Sequence, residues 1–290
     1  MKISSYNILI PLILIAPAIT LLILIILIPS IQALVMSLTN YTAGRTSDFI
    51  GMSNYFSILS DPNFVKSLLN SLYFMFGAVS LELLIGLSGA LLLNRRFPLQ
   101  PLWISLILSP YAISPIVSVV IWKYMLDPSY GIINYLITSL GFEPIIWFST
   151  TLTSFIPIIL VDVWKNFPFI FVISYGALTS IPLEIIDASK VDGVTGFKFF
   201  RLVELPLIIP ALLVGLLFRI IFLFRTFEIV WVFTGGGPGR STEILSINLY
   251  KEAFLYFNFG KASAVSWVML IITFILSTYL VKKTYRNVMY

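Results

Sequence analysis

The segment Ile181–Pro210, I-P-L-E-I-I-D-A-S-K-V-D-G-V-T-G-F-K-F-F-R-L-V-E-L-P-L-I-I-P, stands between two long apolar runs. Its stretch from about 180 to 206 holds seven charged residues, Glu184, Asp187, Lys190, Asp192, Lys198, Arg201 and Glu204. Pro182 suits the opening of a helix, and Glu184 and Asp187 fall in its first turns, where acids meet the positive end of the helix dipole. Ala188 and Val191, followed by Gly193, predict a short helix ended by a glycine cap. Phe197, Phe199, Phe200, Leu202 and Val203 predict a second short amphipathic stretch before Pro206 opens the next apolar run. The expectation is a helix–turn–helix projecting into the cytoplasm with exposed aromatics, a surface that calls for a partner.

The rest of the chain explains why this polar segment stands out. Of 290 residues, 59% are hydrophobic and only 11% charged, against about 25% charged in a soluble domain. That excludes a soluble enzyme. A helix needs about 20 apolar residues to cross a bilayer. Six runs meet the requirement, at about 9–36, 67–93, 102–125, 153–178, 207–233 and 262–281. The fold class is therefore an all-α polytopic membrane protein, with six transmembrane helices in one domain over 1–290. The first run lacks a small-residue cleavage site and exceeds a signal peptide's apolar region, so it reads as a retained anchor. The chain has no cysteine and no histidine, which removes thiolate metal sites, cysteine nucleophiles and the commonest general base. No metal site and no catalytic residue is expected. The net charge of +5 forms no basic stripe, so nucleic acid is not a partner.

Lysine and arginine set the orientation of such a chain. With the N-terminus inside, the inner segments carry Lys2, Arg95, Arg96, Lys190, Lys198, Arg201, Lys282, Lys283 and Arg286. The outer segments carry Arg45, Lys66, Lys123, Arg240, Lys251 and Lys261. Spans two and six both end on a dibasic pair. Both termini are expected in the cytoplasm, in a multi-pass protein of the cytoplasmic membrane.

Within the loop, Asp187-Ala188-Ser189, then Gly193, then Val203-Glu204-Leu205-Pro206 resemble the E-A-A loop of ABC-importer permeases, with both spacings kept. Asp replaces Glu, Ser the second Ala, and Val the Ile. Phe49-Ile50-Gly51-Met52-Ser53-Asn54-Tyr55, followed by Asp61-Pro62 and Asn70, resembles the F-x-G-x-x-N-Y segment of carbohydrate-type permeases. Asp127-Pro128, Gly131, Asn134 and Trp147 continue the likeness. So do Thr234-Gly235-Gly236-Gly237-Pro238, Ser241-Thr242, Tyr250, Ala253-Phe254 and Phe259-Gly260. The resemblance covers nearly the whole chain.

It implies a type I importer permease fold with a cytoplasmic coupling helix. The implied partners are a second permease subunit, two ATPase subunits, an extracytoplasmic substrate-binding protein, membrane lipid and a sugar or polyol such as glycerol-3-phosphate. ATP and Mg would be held by the ATPase subunits, and no cofactor by this chain. Asp187, Ala188, Ser189, Asp192 and Gly193 would form the joint with an ATPase, and Phe197 and Phe200 would pack against it. The glycine run at 235–237 carries no following lysine and serine or threonine in P-loop register.

Charges inside spans are costly and face polar interiors. In span four, Asp162 and Lys165 are spaced to pair on one helical face, beside Asn166 and Pro168. In span five, Arg225 and Glu228 are spaced likewise, while Arg219 has no partner within its own helix. A water-filled cavity would compensate its charge. By the resemblance, Arg219, Phe222, Leu223, Arg225 and Thr226 are the candidate substrate contacts, and Asn166 joins them from the polar wall read in span four. Two arginines would equally suit an anionic substrate. Glu82, alone in span two, reads as a helix–helix hydrogen-bond partner, and Gly77, Gly86 and Gly89 as close-packing positions. The alternatives are an ion-gradient-driven secondary transporter, which calls for a relay of buried acids and an internal repeat, and an intramembrane enzyme. Neither pattern is found.

Overall fold

The computed structural model describes residues 6–44, 47–95 and 98–288, with side chains from 13 to 283. Lys2, Arg45, Arg96 and the side chain of Arg286, all used in the charge count above, lie outside the described residues. Among the described residues, five helices are long and apolar enough to cross a membrane: α1 (Ile13–Ser37), α3 (Pro62–Leu93), α7 (Thr151–Thr179), α9 (Gly196–Arg225) and α12, whose apolar part is Phe259–Lys283. The sixth run is a pair, α4 (Gln100–Ala112) and α5 (Pro115–Met125), bent by 98°. Shorter helices are α2 (Ser53–Leu59), α6 (Ile132–Ser139), α8 (Leu183–Val191), α10 (Glu228–Thr234) and α11 (Leu245–Tyr250). Among the described residues the only β pairing is an isolated bridge between Thr39 and Phe49.

Three expectations change. The run at 102–125 is broken at Ile113, which is extended (φ −76°, ψ 138°). Pro115 then opens α5, as proline at a helix start does. The run at 207–233 ends as a helix at Arg225, because Thr226 leaves the helical region (φ −59°, ψ 127°), and α10 begins anew at Glu228. The second amphipathic stretch of the loop is no separate helix. Gly196–Phe199 passes through a π-helical turn at Phe200–Glu204 into Leu205–Arg225 without a break.

The chain divides into two compact units. The first comprises residues 1–61 and 249–268. In it the Asn54 amide donates to the carbonyls of Ser37 and Thr39, 2.8 Å each. The Ser37 and Tyr55 hydroxyls lie 2.7 Å apart. Gly51 takes φ +57°, the left-handed region that favours glycine. The G-x-x-N-Y pattern is thus a turn that aims an amide and a phenol at the end of α1.

The second unit comprises residues 62–248 and 269–290. At its centre α7 packs against α3, α4 and α9. Glycines set the approach. A Cβ on Gly86 would stand 2.9 Å from the Phe171 nitrogen and 3.0 Å from the Ile170 Cβ. Gly77 faces Ile159, Gly89 faces Phe171, and Gly215 of α9 faces Ile173. A cluster of Ala90, Leu93, Phe171, Leu178, Ile181, Ile208 and Leu212 joins α3, α7 and α9, with Leu83, Ile107, Tyr175 and Ile186 against it. In the Thr234–Glu243 loop, Glu243 is fully buried and accepts from Ser67 and Asn248, 3.2 Å each. Asn70 donates to the Glu243 carbonyl at 2.9 Å.

Gly86→Val is expected to lower the melting temperature of the purified subunit, since overpacking a tight contact costs about 1–3 kcal/mol. Gly176→Ala is the control. No atom of a neighbouring element lies within 4 Å of a Cβ placed there, so thermal melting in detergent should be unchanged or raised. Equal losses in both variants would contradict the packing described.

Candidate functional site

Arg219 of α9 is only 4% exposed. Its Nε donates to Glu82 Oε2 at 2.6 Å and its Nη2 to Glu82 Oε1 at 2.5 Å, while Nη2 also donates to Asp162 Oδ2 at 2.7 Å. Glu82 comes from α3 and Asp162 from α7, so one guanidinium ties three helices. The two-point contact with Glu82 matches the planar fork of arginine to an ionised carboxylate. Arg219 has partners after all, on other helices, where spacing along its own could not reveal them. Glu82 is the helix–helix partner that its isolation in span two suggested.

Asp162 Oδ1 also accepts from the Asn166 amide at 3.0 Å. Because its carboxylate is taken up this way, the Asp162–Lys165 pairing allowed by spacing gives way. Lys165 Nζ instead donates to the Tyr111 carbonyl at 3.2 Å and lies 5.5 Å from the Tyr111 ring centroid. Tyr111 has this carbonyl to offer because the residue four places on is Pro115, which has no N–H. Among the described residues no ion pair joins Arg225 to Glu228, and both are exposed.

Asp162, Lys165, Asn166 and Arg219 border a cavity of about 390 Å³. Its wall is built from the broken ends of helices: Tyr111 and Pro115 from the α4–α5 bend, and Thr226, Glu228 and Ile229 from the α9–α10 break. Asp162, Lys165, Asn166 and Phe169 of α7, with Arg219 and Phe222 of α9, complete it. The Tyr111 and Phe169 rings stack at 6.5 Å, and Phe169 meets Phe222 edge-on at 6.3 Å. Of the candidate substrate contacts, Asn166, Arg219, Phe222 and Thr226 line the cavity. Leu223 is buried in packing and Arg225 is exposed, and neither lines it. Tyr111, Pro115 and Ile229 are lining residues that the sequence reading missed. The signal was the proline at 115, which marks a break in an otherwise continuous apolar run.

The charged loop forms α8, closed by a glycine motif. Val194 N donates to Ser189 O at 2.9 Å and Gly193 N to Lys190 O at 3.0 Å, with Gly193 at φ +72°. This is the Schellman pattern, with Asp192 as the last half-helical residue. Asp187 pairs with Lys190 at 2.8 Å on the exposed face. Ala188 is exposed. Ser189 turns inward and donates to Ile186 O at 2.7 Å. Phe197 is 75% exposed and its ring lies 6.0 Å from that of Phe200. Leu183, Val191 and Phe197 present apolar surface, while Ile186 on the other side packs against the α3–α7–α9 cluster.

The profile of the family described as binding-protein-dependent transport system inner membrane component matches residues 82–284. The trehalose/maltose transport system permease protein MalF of Thermococcus litoralis is 36% identical over 266 residues, covering 90% of this chain and 88% of that one. The sn-glycerol-3-phosphate transport system permease protein UgpA of Brucella suis is 28% identical, covering 100% and 99%. A bacterial alginate ABC transporter, solved with its alginate pentasaccharide-bound periplasmic protein, has a chain of the same fold, with a TM-score of 0.81 at 17% identity over 95% of this chain and 93% of that one. The chain belongs to the family of binding-protein-dependent transport system inner membrane components, the permease subunits of ABC importers.

Proposed function

We propose that this permease carries a sugar or a related polyol across the cytoplasmic membrane, as one half of a heterodimeric channel. The observation that carries the reading is the cavity at the helix breaks. Aromatic planes from Tyr111, Phe169 and Phe222 stand beside the polar groups of Asn166, Lys165 and Asp162. Sugar rings offer apolar faces and a rim of hydroxyls, so they call for stacking surfaces and hydrogen-bonding groups together. The trehalose/maltose and glycerol-3-phosphate relatives support the same class. A second permease subunit, two ATPase subunits holding ATP and Mg, and a substrate-binding protein complete the assembly. Family membership favours this reading over an ion-driven carrier. The pairing of Glu82 and Asp162 with Arg219, in place of a relay of acids, points the same way.

In this reading α8 is the coupling helix. Its exposed side, with Asp187, Ala188, Leu183 and Val191, seats on an ATPase, and Phe197 and Phe200 extend the contact. Its inner side bears on the core through Ile186. Closure of the ATPases on ATP moves α8, and the packed cluster passes that motion to α3, α7 and α9.

Asn166→Ala is expected to raise the substrate concentration for half-maximal uptake roughly tenfold in proteoliposomes holding the full complex, the effect of losing one buried hydrogen bond. Unchanged uptake kinetics would count against the cavity as the substrate site. Gly193→Pro replaces a φ of +72° with one fixed near −65° and removes the N–H that bonds Lys190. ATPase activity stimulated by the loaded binding protein should fall about tenfold in the assembled complex. Gly193→Asn, which tolerates the left-handed region, should keep most of it. Full stimulation in the proline variant would contradict the coupling role. For the orientation, single cysteines at the exposed Lys190 and Ser129 should label from inside and outside respectively. The reverse pattern would overturn the topology.

A further inference from the structure

We infer that the cavity selects an uncharged, polyhydroxylated substrate and disfavours an anionic one of the same size, an inference that rests on the sugar reading above. The argument is one of charge accounting at atomic positions. Two arginines in span five suggest an anion site, yet Arg225 does not line the cavity and the charge of Arg219 is met by two carboxylates. The Arg219 guanidinium makes three short contacts with two carboxylates. Those contacts use Nε and Nη2, so an anion at this wall meets at most Nη1, on a guanidinium whose charge Glu82 and Asp162 already offset.

The remaining cation in the wall is Lys165. Its ammonium stands opposite the local charge of the Glu82–Arg219–Asp162 set, so these four side chains are together neutral. Glu228, exposed at the start of α10, also lines the cavity. The wall and its supporting carboxylate thus hold two cations and three acids, one negative charge in excess. That excess, held at the exposed Glu228, disfavours an incoming anion. A neutral sugar suffers no such repulsion. It finds ammonium hydrogens on Lys165 beyond the one given to Tyr111, an amide on Asn166 and carboxylate acceptors.

The test uses the assembled transporter in nanodiscs, without the binding protein, whose own selectivity would mask that of the channel. Equilibrium binding is compared for two matched pairs, glucose with glucuronate and galactose with galacturonate, each pair differing by one carboxylate. The expected result is at least about tenfold preference for the neutral member of a pair. Glu228→Gln removes the excess charge and should raise the uronate-to-sugar affinity ratio about tenfold, whereas Glu228→Asp should keep the wild-type ratio. Tighter binding of the uronates by the wild type, or a ratio unmoved by Glu228→Gln, overturns the inference while leaving the sugar reading standing. Binding of neither sugar nor uronate at millimolar concentration contradicts the sugar reading and this inference with it.

Discussion

One guanidinium organises the described core of this permease. A charge in the middle of a membrane span costs about 2.5–3.5 kcal/mol on insertion scales unless it is met. Arg219 is met by Glu82 from α3 and Asp162 from α7, at 2.5–2.7 Å. Those contacts require the three helices to lie close, and small residues permit it. Gly86 admits the α7 backbone and Gly215 admits Ile173. The ion contacts fix register where apolar packing alone would let helices slide. They also bear on the cavity: beside Arg219 and Asp162, its wall carries Lys165, Asn166, Thr226, Glu228 and the aromatic planes.

The same three helices receive the charged loop that carries α8. Ile181 closes their apolar cluster and Ile186 of α8 packs against it. The Schellman turn at Gly193 lets α9 begin at once, as a continuous helix from Gly196 to Arg225. The start of α9 and Arg219 thus lie on one unbroken helix, which ends at Arg225. The π turn at Phe200–Glu204 is the local irregularity in that helix, and such turns recur at sites of function.

The sequence carried the local features plainly and the distant ones poorly. The α8 helix and its glycine cap were legible because capping signals act over four or five residues. The apolar runs were legible because a span must be nearly unbroken in composition. Gly77, Gly86 and Gly89 were legible as packing sites for want of any other use in a span. The bend before Pro115 was marked by that proline but masked by apolar composition on both sides, and the end of α9 at Arg225 carried no comparable mark. Phe197 to Val203 suggested a separate amphipathic helix, but nothing between them and Pro206 stops helix propagation. The partners of Arg219 lie 137 and 57 residues away, beyond any periodicity argument. Local spacing favoured Asp162–Lys165 and Arg225–Glu228, and tertiary structure spent Asp162 elsewhere.

The central claim is that Arg219 acts first as the counter-charge of Glu82 and Asp162. The most direct measurement is assembly of the purified complex with Arg219→Met alone, compared with Arg219→Met combined with Glu82→Gln and Asp162→Asn. Breaking a buried ion set by removing one side costs about 3–5 kcal/mol, while replacing all its charges together is far less costly. The single variant should fail to assemble, and the triple variant should recover the complex on size exclusion with a melting temperature near that of the wild type. A stable, correctly assembled complex with Arg219→Met alone would contradict the account.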